Sequence, residues 1–107
     1  MKLMTRAEEL ILLAVWRLKD NAYCIPLRTQ ICDITGEAWS LGSIYMPLDR
    51  LVKRGLLDSY LTEATPERGG RRKRVYRLTE EGLRRLREME DIGKRMWEGI
   101  PNLSEER

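Results

Sequence analysis

From Leu10 to Trp16 the chain reads Leu-Ile-Leu-Leu-Ala-Val-Trp without one polar residue. Just ahead of it, Thr5-Arg6-Ala7-Glu8 has the form of a capping box, in which the threonine hydroxyl accepts from the Glu8 amide and the Glu8 side chain reaches back. The run is therefore the body of a helix. Ala7, Ile11, Ala14 and Leu18 make one stripe, while Leu12, Leu13 and Trp16 point elsewhere. A helix that is apolar on more than one side must bury more than one side. One side belongs to the core of its own domain. The other, carrying Leu12 and Trp16, needs a second surface, and a partner subunit is the expected one.

The rest of the chain is punctuated by turn residues. Asp20-Asn21-Ala22-Tyr23 reads as a turn, Pro26 suits the first position of a second helix, and Leu27, Ile31 and Ile34 follow at helical spacing until Gly36 stops them. Ser40 offers a cap to a third helix with an inner stripe of Leu41, Ile44, Leu48 and Leu51 or Val52. Gly42, Ser43, Met46, Asp49, Arg50 and Lys53 fall on its other faces. Pro47, inside it, deletes a donor and predicts a bend; Gly55 ends it. Leu57–Thr62 and Arg74–Leu78 read as strands joined through Pro66-Glu67-Arg68-Gly69-Gly70. Thr79 then caps a last helix that opens on Glu80 and Glu81. Its stripe is Leu83, Leu86, Met89, Ile92, Met96 and Ile100, closed by Pro101, with Asn102 to Arg107 as a frayed tail. Such a helix is about 30 Å long, too long to pack along all its length at home, and self-association as a two-fold dimer is the expected remedy.

The fold class expected is mainly α with a small β-hairpin (α+β): a winged helix-turn-helix over residues 1–78 and a long C-terminal dimerisation helix with a short tail over 79–107. A length of 107 residues suits one compact domain with a single appendage.

Charge is concentrated. Residues 66–77 hold Arg68, Arg71, Arg72, Lys73, Arg74 and Arg77 against Glu67 alone, so this segment carries more than the whole chain's net +3. The remainder is slightly acidic. A positive finger on a near-neutral body is the footprint of a phosphate-binding element. It equally suits docking on an acidic protein, and a winged-helix assembly module with an acidic partner is the alternative reading.

Other classes of function are poorly served. There is no histidine, hence neither the commonest general base nor the commonest metal ligand. Cys24 and Cys32 lack Cys-x-x-Cys spacing, so no zinc site and no disulfide scaffold are indicated. Cys24 reads as a small buried hydrophobe, with a redox role as the lesser reading. No nucleophile has a base, and Gly69-Gly70 is no phosphate loop. A non-enzymatic, cytoplasmic protein without cofactor, metal, signal peptide or membrane span is expected.

Three stretches carry a family resemblance. Ser40-Leu41-Gly42-Ser43-Ile44-Tyr45-Met46-Pro47-Leu48-Asp49-Arg50-Leu51, running on through Arg54-Gly55-Leu56-Leu57, resembles the recognition-helix signature of the PadR family of bacterial transcriptional regulators. Gly69-Gly70-Arg71-Arg72-Lys73-Arg74-Val75-Tyr76-Arg77-Leu78-Thr79, with Gly82, resembles that family's wing and the start of its C-terminal helix. The apolar first helix and Tyr23 agree more loosely. This chain differs in having Cys24 where the family usually has glycine, Met46 between the tyrosine and the proline, and Val52 in place of an acid.

The resemblance implies a homodimeric repressor of transcription on double-stranded DNA, with an inverted-repeat operator, the third helix (40–54) in the major groove and the wing (64–77) along the backbone or minor groove. On that reading Arg71, Arg72 and Lys73 meet phosphate or minor groove, with Arg68 at the tip. Ser40 and Ser43 donate to phosphate or simply cap their helix. Tyr45 faces either the groove or the core. Arg50 either reads guanine or pairs with a neighbouring acid, and Arg28 is a lesser backbone contact. Leu86, Met89, Ile92, Met96 and Trp97, with Leu12 and Trp16, are the expected dimer interface. Some members of the family stack flat aromatic ligands between tryptophans of the last helix. That position falls on Gly93 here, with Trp97 one turn on. Trp16, Met89, Met96 and Trp97 are thus the candidate effector pocket, with plain packing as the alternative.

Overall fold

The computed structural model describes residues 3–63 and 71–101. Its order is α1 (Arg6–Leu18), a 3-10 turn (Lys19–Asn21), α2 (Cys24–Thr35), α3 (Leu41–Lys53), β1 (Leu57–Leu61), β2 (Arg74–Leu78) and α4 (Glu80–Trp97). The expected fold class, a winged helix-turn-helix followed by a long helix, is what these elements form. The Pro66 to Gly70 turn, Arg68 within it, and the 102–107 tail lie outside the described residues.

The capping box opens α1. Thr5 Oγ1 accepts from the Glu8 N–H at 3.1 Å, and the Thr5 N–H donates to Glu8 Oε1 at 2.9 Å. The second Glu8 oxygen accepts from Arg54 Nη1 at 2.9 Å, just past the end of α3. One buried carboxylate thus joins the start of α1 to the end of the third helix.

Helix α1 is central: α2, α3, α4 and β2 all touch it. It buries Ile11, Leu12, Ala14 and Val15 against Leu27, Ile31, Ile44, Leu48, Leu51, Leu57, Tyr76 and Leu86. Leu12 is fully enclosed within this core, which corrects its expected place at a dimer interface. The enclosing elements cover a wider arc of α1 than a single stripe, leaving Leu13 and Trp16 as its exposed apolar residues.

Helix α2 begins at Cys24, two residues ahead of the position expected from Pro26. Proline fits at the third position because the first four N–H groups of a helix have no internal partner. Gly36 ends α2 in the left-handed region, φ 72°, with its N–H donating to the Cys32 carbonyl. Ile34, which follows Leu27 and Ile31 at helical spacing, is exposed beside a groove shared with Leu10, Leu13 and Ala14 of α1.

In α3 the buried face is Ile44, Pro47, Leu48 and Leu51. Leu41 departs from the expected stripe: as the first helical residue it lies beyond the core's edge and is 48% exposed. The helix runs unbroken through Pro47, whose ring is itself part of the buried face. Gly55, at φ 77°, supplies the left-handed residue of a Schellman ending, with its N–H on the Val52 carbonyl and the Leu56 N–H on that of Leu51.

The strands pair antiparallel, Leu57 opposite Leu78 through Leu61 opposite Arg74, and Thr62 and Lys73 extend the pairing by one rung. On its outer edge β2 meets the α1–α2 connection, where the Tyr76 N–H donates to the Ala22 carbonyl at 2.8 Å.

Thr79 then turns the chain into α4. Its hydroxyl donates to the Gly55 carbonyl at 2.8 Å and accepts from the Gly82 N–H at 2.9 Å, while its own N–H reaches the Leu56 carbonyl. Gly82 is forced by proximity, since a Cβ there would lie 2.2 Å from the Leu56 carbonyl oxygen and 2.7 Å from Leu78 Cδ1. Helix α4 stops at Trp97, short of the expected Ile100, because Glu98 leaves the helix and Gly99 is left-handed at φ 79°. Leu86 is buried, Leu83, Met89 and Ile92 are half-buried, and Met96 and Trp97 are 71% and 60% exposed. Among the described residues no helix is long and apolar enough to cross a membrane.

Replacing Gly82 by alanine should therefore force backbone apart and lower stability by about 1–3 kcal/mol or more. Gly93, inside the same helix with nothing within 4 Å of the added carbon, should gain up to about 1 kcal/mol from the same change. Thermal denaturation of Gly82→Ala and Gly93→Ala checks both, and shifts of equal sign would contradict this account of Gly82.

Candidate nucleic-acid interface

The exposed face of α3 and the base of the hairpin adjoin. Tyr76 of β2 lies close enough to Tyr45 and Asp49 of α3, to Cys24 of α2 and to Arg74 for their charges to act on its phenol. Burial acts on it most strongly and raises its pKa above the ordinary 10.0.

At the head of α3 the Ser40 hydroxyl accepts from the Ser43 N–H at 3.1 Å, and the Ser43 hydroxyl donates to the Ser40 carbonyl at 2.7 Å. Both serines cap; their outer surfaces stay open to solvent. Tyr45 is 52% exposed and turned out of the core, as is Met46 beside it. Arg50 is exposed and no described acid pairs with it; Asp49 takes Lys53 at 3.1 Å.

On the wing, Arg71 and Arg72 are exposed and no described acid pairs with them. Lys73 is exposed too, but its ammonium sits 4.6 Å over the Tyr23 ring and 3.4 Å from the Tyr23 hydroxyl. Arg74 donates to Ser59 Oγ across the hairpin, and the Arg77 guanidinium lies 5.1 Å over the Tyr60 ring. The wing's cations thus grade from braced at the root to unpaired at Arg71 and Arg72. The cations of α4 differ: Arg84 pairs with Glu81 and Glu88, Lys94 with Glu90, and Arg95 with Asp91. Charge on α4 is paired along the helix, whereas no described acid pairs with Arg71 or Arg72.

Arg28 is exposed, yet one of its donors is engaged within the chain. Its Nε donates to the Trp39 carbonyl at 2.5 Å, one residue before the α3 cap. This contact, the Tyr23–Lys73 stack and the Glu8–Arg54 pair were not legible in the sequence, since each joins residues separated by eleven or more positions.

The four residues of the expected effector pocket are not gathered within one chain. Trp16 lines a hollow of about 360 Å³ with Leu13, Leu83, Leu86 and Arg87, whereas Met89 and Trp97 line another with Arg6, Ile92 and Lys94. One face of the Trp16 ring is already taken by the Lys19 ammonium, 3.3 Å from its centroid.

A helix held behind a tight turn and followed by a two-stranded hairpin makes a winged helix-turn-helix fold. The chain also matches the Transcriptional regulator PadR-like family over residues 12–88, and it belongs to that family of DNA-binding transcription regulators. Its fold is similar to that of a PadR-like regulator from Bacillus cereus, at 26% identity and a TM-score of 0.74 over 94% of this chain and 92% of the other. It is also similar to a PadR-family regulator from Eggerthella lenta, at 31% identity and TM-score 0.67 over 92% and 83%. A third, a PadR-like transcription factor from Bacteroides fragilis, shares 28% identity at TM-score 0.72 over 87% and 84%. Among curated proteins none matches.

Cys24 is half-buried against the core, and burial pushes its thiol above the ordinary 9.0, outweighing the nearby Arg28. Tyr76 shifts in the same direction. Each group holds its proton more tightly when folded, so the stability it contributes is intact below the unfolded value and lost as pH rises through the folded one. Denaturant midpoints should hold steady up to about pH 9 and fall above it, and Cys24 should alkylate slowly at neutral pH. Rapid labelling of Cys24 in the folded protein at pH 7 would contradict this placement.

Proposed function

We propose that the protein is a homodimeric transcriptional repressor that binds an inverted-repeat operator, with α3 in the major groove and the wing on flanking phosphate or minor groove. The observation that supports the reading is the pair of exposed wing arginines, Arg71 and Arg72, with which no described acid pairs, together with the solvent-exposed Ser43, Tyr45 and Arg50 of α3. Phosphate contacts fix register and base contacts select sequence. The wing is suited to the first role and Arg50 to the second, through a guanine edge. Lys73, braced on Tyr23, and Arg68 add to the wing's phosphate contacts.

The seam of the dimer is the far half of α4, where Met96 and Trp97 are exposed and Ile92 and Met89 are half-buried, together with Trp16. Leu86 stays with the protomer's core. Two copies related by a two-fold axis place their α3 helices in successive major grooves when half-sites are about 34 Å, or ~10 base pairs, apart or a multiple of that.

A gel-shift titration against the DNA upstream of the protein's own gene tests binding. Its log affinity should fall with log salt by about 0.9 per neutralised phosphate. Changing Arg71, Arg72 and Lys73 together to alanine should weaken binding to every duplex and flatten that slope by up to about 3. Arg50→Ala should shift preference among sequences at constant slope. A folded dimer that retards no duplex at low salt would overturn the reading in favour of an acidic protein partner.

Glutamates at Met96 and Trp97, both exposed in the protomer, should leave the fold intact and yield monomers by light scattering. A dimer that survives both changes places the seam elsewhere.

A further inference from the structure

The chain has no regular structure between Gly36 and Ser40, yet this short connection must set where α3 begins. Both backbone groups of one residue in it, Trp39, are held by side chains of α2. The Trp39 carbonyl accepts from Arg28 Nε at 2.5 Å, and the Trp39 N–H donates to Cys32 Sγ at 3.4 Å. Arg28 and Cys32 are four positions apart and therefore stacked on one face of the helix, one turn from each other. Trp39 itself packs on the core, so its peptide is gripped from both sides while its ring is anchored below. The next residue, Ser40, is the cap whose hydroxyl and carbonyl both engage Ser43. Any movement of Trp39 passes straight into the first turn of α3, and with it Ser43, Tyr45 and Met46.

We propose that Arg28 and Cys32 are positioning residues for DNA recognition, acting through a two-point grip on the Trp39 peptide that fixes the pose of α3. The inference rests on the DNA-binding reading above and assigns Arg28 a task other than direct phosphate contact. Its Nε is committed to a carbonyl, and that bond needs a donor, not a charge. Cys32 serves as an acceptor for an N–H in a partly buried position, a role that needs neither a thiolate nor a metal.

The chemistry of the side chains separates this from its rival. Glutamine places its Nε2 the same number of bonds from the backbone as arginine places Nε, so Arg28→Gln keeps the donor and discards the charge. Arg28→Met keeps the length and discards both. If Arg28 positions α3, Arg28→Met lowers affinity for the duplex retarded in the titration above by about 5- to 30-fold. Affinity for a scrambled duplex of equal length then stays near wild type, because the wing's phosphate contacts are untouched, and the salt slope is unchanged. Arg28→Gln restores most of the loss. Cys32→Ala loses discrimination in the same sense, and Cys32→Ser, which keeps an acceptor, recovers part of it. Amide hydrogen exchange at Trp39 should quicken in Cys32→Ala with the thermal midpoint little changed, which separates a released peptide from a damaged fold.

If instead Arg28→Gln loses as much as Arg28→Met and the slope flattens by about 0.9, Arg28 touches phosphate and the inference is overturned. If wild type binds while Arg28→Met and Cys32→Ala bind and discriminate equally well, the inference fails alone. Wild-type protein that retards no duplex removes the DNA-binding reading first and this inference with it.

Discussion

The approach of Gly82 to the Leu56 carbonyl governs how the two halves of the molecule are joined. At that point three pieces of backbone converge: the Schellman turn that ends α3, the last residues of β2, and the first turn of α4. Thr79 bridges all of them with one hydroxyl, donating to Gly55 and accepting from Gly82. A side chain at position 82 would hold the helix off, and the hydroxyl would span a gap it cannot reach. The direction of α4, and hence the orientation of any surface it offers to a second copy, is therefore tied to the end of α3. Arg54, next to that turn, extends the tie to the start of α1 through the buried Glu8 carboxylate. Removing either partner of that pair would leave an uncompensated charge, a costly state away from water.

The elements themselves were legible because their ends are local chemistry. Thr5 with Glu8, Ser40, Gly36, Gly55 and Thr79 each act within a few residues of themselves, and all five mark the ends expected of them. Errors arose where the deciding force comes from elsewhere in the chain. Periodicity cannot say how wide an arc of α1 its neighbours cover, and Leu12, outside the stripe it predicts, is enclosed by them. It cannot say where a core stops, so the stripe that spacing predicts for α3 includes Leu41, which lies beyond the core's edge. Gly99 cut α4 short of Ile100 because a left-handed residue ends a helix whatever apolar spacing continues beyond it.

The site divides in the same way. Which residues carry charge is plain from the sequence; which charges remain available is not, because that depends on partners distant along the chain. Lys73 looks equivalent to Arg71 and Arg72 as a string of letters, yet an aromatic ring fifty positions away braces it. Arg28 looks like a spare surface cation, yet its donor closes on a carbonyl eleven positions on. Tyr23 stands in the turn before α2, fifty positions from Lys73, and nothing local marks it as a support for the wing.

Partnering, more than count, decides where this protein is electropositive. Helix α4 is rich in arginine and lysine, but its acids recur three and four residues away and pair with them, so at a distance beyond about 10 Å little of its field survives at moderate salt. The described acids of the hairpin, Asp58 and Glu63, form no ion pair with the wing's cations, and Lys73, Arg74 and Arg77 rest on rings and hydroxyls that leave their charge intact. An aromatic face stabilises a cation without neutralising it, so Tyr23 and Tyr60 hold Lys73 and Arg77 in place at no loss of potential. The hairpin can therefore be ordered and positive at once, a combination that carboxylate partners would forbid.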